Sequence, residues 1–251
     1  MGRQTFVLGR LYDIRVGVHV SWLALYAFVT IALARALPML PGAQAYVVGA
    51  LCALALFASV VVHEFAHALA ARRYGVRTDA ITLFLFGGVA TLVDEPQGPR
   101  ADAVIALAGP AMSAVLAVLS FGALALCERI AGGGIGDALA LMFAYLAVAN
   151  GVLAVFNLLP TFPMDGGRVL RAVLWARGGD RTVATGIAAR IGAALALVLV
   201  AAGVLAAAAA HNALYLWYAL LGAFLLRQAW ALDRAARRER SIANVEVATA
   251  A

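Results

Sequence analysis

The sequence predicts an all-α polytopic membrane protein of about six transmembrane helices, with a short membrane-associated β-hairpin and one broken helix. Three observations lead there. The 251 residues are 65% hydrophobic and only 13% charged, with mean hydropathy +0.93, whereas a soluble domain carries roughly a quarter charged residues. Six segments are mostly apolar over the roughly 20 residues that a helical span needs. The nineteen Lys and Arg positions are all arginine, and they fall between the apolar runs rather than in one patch. A net charge of +6 distributed in this way reads as a topology signal and argues against nucleic acid as a partner.

The elements follow in chain order. The first span is expected at 17–37. Its apolar stretch exceeds the roughly 7–15 residues of a signal-peptide core, so "ARA" at 34–36 is read as part of a retained helix rather than a cleavage site. Further spans are expected at 45–71, 101–127, 137–159, 187–208 and 212–230. Between the second and third lies "ITLFLFGGVATLVDEPQGPR" (81–100), too short for two helical passes and rich in β-formers around Gly87-Gly88; it reads as a hairpin. After the fourth comes "NLLPTFPMDGGRVLRAVLWARGGD" (157–180), where Pro160 and Pro163 stop the span and a short basic amphipathic helix follows. With both termini cytoplasmic, seventeen of the nineteen arginines lie inside and only Arg35 and Arg129 outside, which is the asymmetry of the positive-inside rule. Residues 1–240 read as one integral-membrane domain and 241–251 as a short disordered tail. Cys52 and Cys127 each sit in an apolar run without a CxxC partner and read as packed thiols.

One short stretch does not fit a merely structural helix. "VVHEFAHALAARR" (61–73) places His63 and His67 four residues apart, hence on one helix face, with Glu64 about 100° round from His63. This is the spacing of a zinc site in which two histidines ligate and the glutamate acts as general base. An ionisable side chain within a span costs on the order of 2.5–3.5 kcal/mol on insertion scales, so three such groups in one turn call for a function. A catalytic zinc takes three protein ligands and leaves one position open. Most carboxylates sit at segment ends or in loops. Asp165 lies instead in a proline-broken stretch before Gly166-Gly167, where irregular backbone at membrane depth is tolerated only if it lines protein or a watery cavity. It is the expected third ligand, with helix capping as the plainer alternative.

With "HEFAH" in an early span and "NLLPTFPMDGGRVLRA" after a later one, the chain resembles the site-2 protease family of intramembrane zinc metalloproteases. The family's second motif, approximately N-x-x-P-x-x-x-L-D-G, is matched by Asn157, Pro160, Asp165 and Gly166, with Met164 in the Leu position. "FGGVATL", "LAGPAMSAV" (107–115) and "GVHVSW" are also similar to that family, so the resemblance covers about residues 10–180. It implies one Zn2+ held by His63, His67 and Asp165, Glu64 as base, and Asn157 near the substrate carbonyl. Relatives with PDZ or CBS domains exist, and this chain is expected to be a compact form without either. The expected activity is intramembrane peptide-bond hydrolysis by a zinc-activated water, with a membrane-protein substrate and the lipid bilayer as partners. The hairpin at Gly87, Gly88 and Val89 is expected to hold the unwound substrate by strand addition. The alternative is a non-proteolytic membrane zinc-binding protein or transporter. A transporter would want ligands repeated along a path, whereas here they gather at one level with a general base. Substrate identity and any regulatory partner are not written in the sequence.

Overall fold

The structure, a computed structural model, describes residues 5–37, 40, 42–84, 87–130 and 135–250. The chain forms two compact units: Met1–Pro96 with Ala108–Val155, and Gln97–Leu107 with Phe156–Ala251.

The first unit begins with strands β1 (Thr5–Leu11) and β2 (Ile14–His19), paired antiparallel. Tyr12 and Asp13 form the turn, both at positive φ (52° and 64°), the backbone of a two-residue type I′ hairpin. Helix α1 (Ser21–Arg35) and the 32-residue helix α2 (Gly42–Arg73) follow. Trp22, stacked on Tyr26 and edge-on to Phe57, joins these helices in an aromatic cluster with ring centroids 4.9–6.4 Å apart. Strands β3 (Thr78–Phe84) and β4 (Gly87–Leu92) then complete a four-stranded sheet in the order β1-β2-β3-β4. β2 and β3 run parallel, while β3 and β4 are antiparallel, with Phe84 opposite Gly87 and Leu83 opposite Gly88. Ile14 and Ile81 from the sheet pack on Phe65 and Ala68 of α2. That apolar seam fixes the strands against the turn of α2 that carries the histidines.

Helix α3 (Pro99–Ile130) opens with Pro99, whose missing N–H costs nothing at a first helical position. The unit boundaries fall just before α3, within it, and within α4 (Ile135–Asn157). In the second unit, α5 (Asp165–Gly178) ends on Gly179 in the left-handed region. α6 (Arg181–Ala210) is capped by Asp180, whose Oδ1 accepts from the Val183 N–H at 2.7 Å. α7 (Leu216–Ala250) packs along α6, where a Cβ on Gly203 would strike the Ala219 backbone.

Among the described residues, four helices are long and apolar enough to cross a membrane: Gly42–Arg73, Pro99–Arg129, Gly136–Asn157 and Arg181–Ala210. The chain is therefore a multi-pass membrane protein of mainly helical architecture, and these four match the second to fifth expected segments. The first and sixth differ. Residues 17–19 of the expected first span belong to β2, because Val16, Val18 and their neighbours pair in the sheet. The remaining helix α1 has 15 residues, about 22 Å at 1.5 Å each, which is short of a roughly 30 Å hydrocarbon core. In α7 the apolar run Leu216–Leu226 gives way to Arg227 and Gln228. α7 also continues to Ala250, where the sequence reading expected a disordered tail from 241; no Gly or Pro interrupts that stretch to stop the helix. The hairpin over 81–92 is present, but it belongs to a larger sheet, of whose first two strands only the end of β2 falls in an expected element, the first span.

Candidate metal centre

His63 and His67 lie one turn apart on α2, both buried, at 3% and 5% exposure. Their rings meet edge to face with centroids 4.8 Å apart, and the two Nε2 atoms stand 3.1 Å from each other. Two nitrogens each about 2.05 Å from a tetrahedral zinc would be about 3.3 Å apart. The pair therefore has the bite of a zinc chelate.

Ser113, a fully buried residue of α3, has its Oγ 2.8 Å from His63 Nδ1. For Nε2 to present its lone pair to a cation, Nδ1 must carry the proton and donate to that oxygen. A hydrogen bond on the far nitrogen is the usual device for setting a ligating histidine's tautomer and ring orientation. One turn before Ser113 on the same helix, Gly109 faces the same rings. A Cβ there would overlap Nε2 of both His67 and His63. The bare glycine leaves room in front of the nitrogens, and a donor set this close and this well oriented fits a zinc ion.

Glu64, the expected base, is half-buried on the sheet side of α2. A Cβ on Gly88 would lie 2.7 Å from Glu64 Cγ and 3.2 Å from Oε1, so the carboxylate arm rests directly over β4. β4 ends the order β1-β2-β3-β4, which makes it an edge strand among the described residues. Of the three expected substrate-holding residues, Gly88 faces Glu64 and Gly87 opens β4. The side chain of Val89 lies outside the described residues, as do Leu85 and Phe86.

Asp165 belongs to the second unit. It is the first residue of α5 and, at 9% exposure, is buried like the two histidines. The N-cap position is Met164, which makes no side-chain cap bond, and Asp165 stands in the first turn of α5. The path into α5 is tight: a Cβ on Gly166 would strike the carbonyls of Leu158 and Leu159, and one on Gly167 would strike the Thr161 backbone. Asn157 is the last residue of α4, half-buried.

Three residues of structural weight had no role in the sequence reading. Gly109 and Ser113 carried a usable signal, since their i, i+4 spacing in "AGPAMS" puts a gap and a hydroxyl on one face of an apolar helix. Asp102 carried none, because it stands at the start of a span where acidic residues are ordinary.

Comparison with known proteins agrees with this geometry. Residues 51–139 and 133–199 match the sequence profile of peptidase family M50. The solved structure of the site-2 protease from Methanocaldococcus jannaschii superposes with TM-score 0.61 at 30% identity, covering 91% of this chain and 95% of that one. The chain belongs to peptidase family M50. Rip3 of Mycobacterium tuberculosis, named as a candidate zinc metalloprotease, is 41% identical over 99% of this chain and 63% of its own length. A zinc metalloprotease of M. jannaschii is 38% identical over 60% of this chain and 42% of its own length. The chain thus spans a little under two thirds of the length of Rip3.

Proposed function

We propose that the chain is an intramembrane zinc metalloendopeptidase that cleaves transmembrane or membrane-proximal segments of other proteins. The observation that carries the reading is the pair of buried histidines with Nε2 atoms 3.1 Å apart, beside a glutamate that rests on an edge strand. His63, His67 and Asp165 hold one zinc ion in this reading; family membership and the burial of all three support the set. Bound there, zinc supplies Lewis acidity toward water and the scissile carbonyl.

The other steps belong to side chains. Ser113 Oγ accepts a hydrogen bond from the protonated His63 Nδ1 and so keeps Nε2 free for the metal. Glu64 takes the proton of the attacking water and returns it to the leaving amine. The Asn157 amide donates to the oxygen on which negative charge develops. A substrate helix hides its peptide groups in its own hydrogen bonds, so it must unwind first. The outer edge of β4 then pairs with the unwound segment, with Gly87, Gly88 and Val89 beside it. Gly88 keeps the strand low enough for Glu64 to lie over it. Both termini face the cytoplasm on the arginine count.

The test is cleavage of a membrane-spanning reporter by the reconstituted protein. Glu64→Gln should lower the rate by about 10²–10⁴-fold, the usual contribution of general acid–base catalysis, while zinc stays bound. Equal cleavage by both forms overturns the protease reading. Proline in place of Val89 or Ala90 tests the strand. Neighbouring residues turn their N–H groups to opposite edges, so one of the two variants must lose cleavage if β4 holds substrate.

A further inference from the structure

Asp102 is wholly buried, at 0% exposure, in the first turn of α3. A buried carboxylate must be paired, and the pairing here is elaborate. Arg171 grips it with two bonds, Nε to Oδ2 at 2.8 Å and Nη2 to Oδ1 at 2.8 Å. Arg168 adds Nη2 to Oδ1 at 3.4 Å. All three residues lie in the second unit, and both arginines stand on α5, the helix whose first residue is Asp165.

The Arg171 fork acts on a different side of α5 from the one that carries Asp165, whereas Arg168, three residues on, lies only about 60° round from it. At about 100° per residue, six residues place Arg171 roughly 120° round the helix from Asp165. At its N-terminus α5 is held by the approach of Gly166 and Gly167 to the backbone of Leu158, Leu159 and Thr161. Contacts at one end set the height of a helix but leave it able to swivel. A planar guanidinium bonded through two nitrogens to a fixed carboxylate removes that freedom. The same guanidinium lies over the ring of Phe162, 5.8 Å from its centroid, and Phe162 is itself buried in the turn leading into α5. A buried ion pair is a weak source of stability compared with apolar packing of similar size, and its best-attested use is to specify one arrangement.

We propose that Asp102, Arg171 and Arg168 are positioning residues for the metal ligand Asp165: they set the rotation of α5 and hence the direction of the Asp165 carboxylate. This rests on the reading of Asp165 as a zinc ligand. The experiment uses the full chain in detergent, with zinc affinity measured by competition against a chelator and visible absorption spectra recorded after Co2+ replaces zinc. The variants are Asp102→Asn, Arg171→Lys and, as reference, Asp165→Asn. Arg171→Lys keeps the charge and loses only the fork, so it gives the measurement if Asp102→Asn does not fold. The expected result is a roughly ten-fold or greater loss of zinc affinity, the usual cost of a lost outer partner, together with shifted Co2+ bands. Those bands report ligand geometry in molecules that have folded, which loss of stability alone would not move. Folded Asp102→Asn and Arg171→Lys with wild-type affinity and spectrum overturn the positioning role while Asp165→Asn still loses zinc. If Asp165→Asn binds zinc like the wild type, the ligand reading falls and takes the positioning role with it.

Discussion

The turn of α2 that carries His63 and His67 and the start of α5 that carries Asp165 both bury proposed metal ligands, but they are built in opposite ways. In α2 the helix itself does the work. Four residues at 3.6 per turn stack the two rings, and the neighbours only clear space, as Gly109 does, or orient a ring, as Ser113 does. At α5 the local sequence supplies a carboxylate and little else. Its place comes from backbone packed on backbone at Gly166 and Gly167 and from the buried Asp102–Arg171 pair. A site made by periodicity tolerates some error in its surroundings, whereas one made by close approach does not.

Matched glycine-to-alanine changes put this difference to the test. At Gly166 the added Cβ meets the carbonyl groups of Leu158 and Leu159, which cannot step aside without moving the turn. Overpacking of this kind costs about 1–3 kcal/mol and more when it is against backbone. Gly166→Ala should therefore lower the thermal midpoint of the detergent-solubilised protein even without metal. At Gly109 the nearest atoms the added Cβ meets belong to the imidazole rings of His67 and His63, which can turn away, and Ala improves helix propensity by up to about 1 kcal/mol over Gly. Gly109→Ala should keep the metal-free midpoint and lose zinc affinity by on the order of a hundred-fold. Two variants that both unfold, or both bind zinc normally, would erase the proposed contrast.

The same contrast decides what could be read from the sequence. His63, Glu64 and His67 were legible because an i, i+4 relation is fixed by helix geometry whatever surrounds it. The four long spans were legible because length and hydropathy are local quantities. Strands β1 and β2 were missed because Val16 and Val18, read with the apolar run that follows them, look like the start of a helix. Their sheet identity depends on pairing with β3, more than sixty residues on. The hairpin turn did leave a trace, since Tyr12-Asp13 interrupts alternating β-formers, although Asn-Gly would have signalled it more strongly. Asp102 was illegible for a related reason. Its partners Arg168 and Arg171 stand more than sixty residues on, and nothing near it in the sequence foretells them.

A smaller effect is expected at Ser113. Replacing it with Ala removes one hydrogen bond to His63 Nδ1 without changing any proposed ligand. Both tautomers of His63 then become available, and the one that leaves Nε2 unprotonated loses its advantage. Loss of an outer partner of this kind typically costs 10–100-fold in metal affinity, and Ser113→Ala should fall near ten-fold. Ser113→Thr, which keeps the hydroxyl, should recover most of it. A Ser113→Ala protein with unchanged zinc affinity would mean that helix packing alone orients the ring, which would make α2 still more self-sufficient than the comparison holds.

The smallest effect concerns an exposed ion pair that closes the hairpin next to the α2 site. Arg77, just before β3, donates from Nε to Asp94 Oδ2 at 3.1 Å, and the Arg77 backbone N–H also points at that oxygen. The Arg77 side-chain bond, followed by its backbone N–H, holds the Asp94 carboxyl below the ordinary range; the same pairing pushes the Arg77 guanidinium further up. A carboxyl whose folded value is depressed contributes stability that is complete above its unfolded value and is lost as pH falls through the folded one. Arg77 stays charged throughout, so only Asp94 titrates, in a window below about pH 4, where free aspartate ionises. Both side chains are open to water and the pair is screened by salt, so its loss should loosen β4 rather than unfold the unit. Amide exchange across residues 87–92 should quicken slightly as pH is lowered through that window, after correction for the intrinsic rate. Asp94→Asn should show the quickened exchange already at neutral pH and no further change on acidification. A wild-type hairpin whose corrected exchange does not respond to pH would show that β4 is held against α2 by its apolar packing alone.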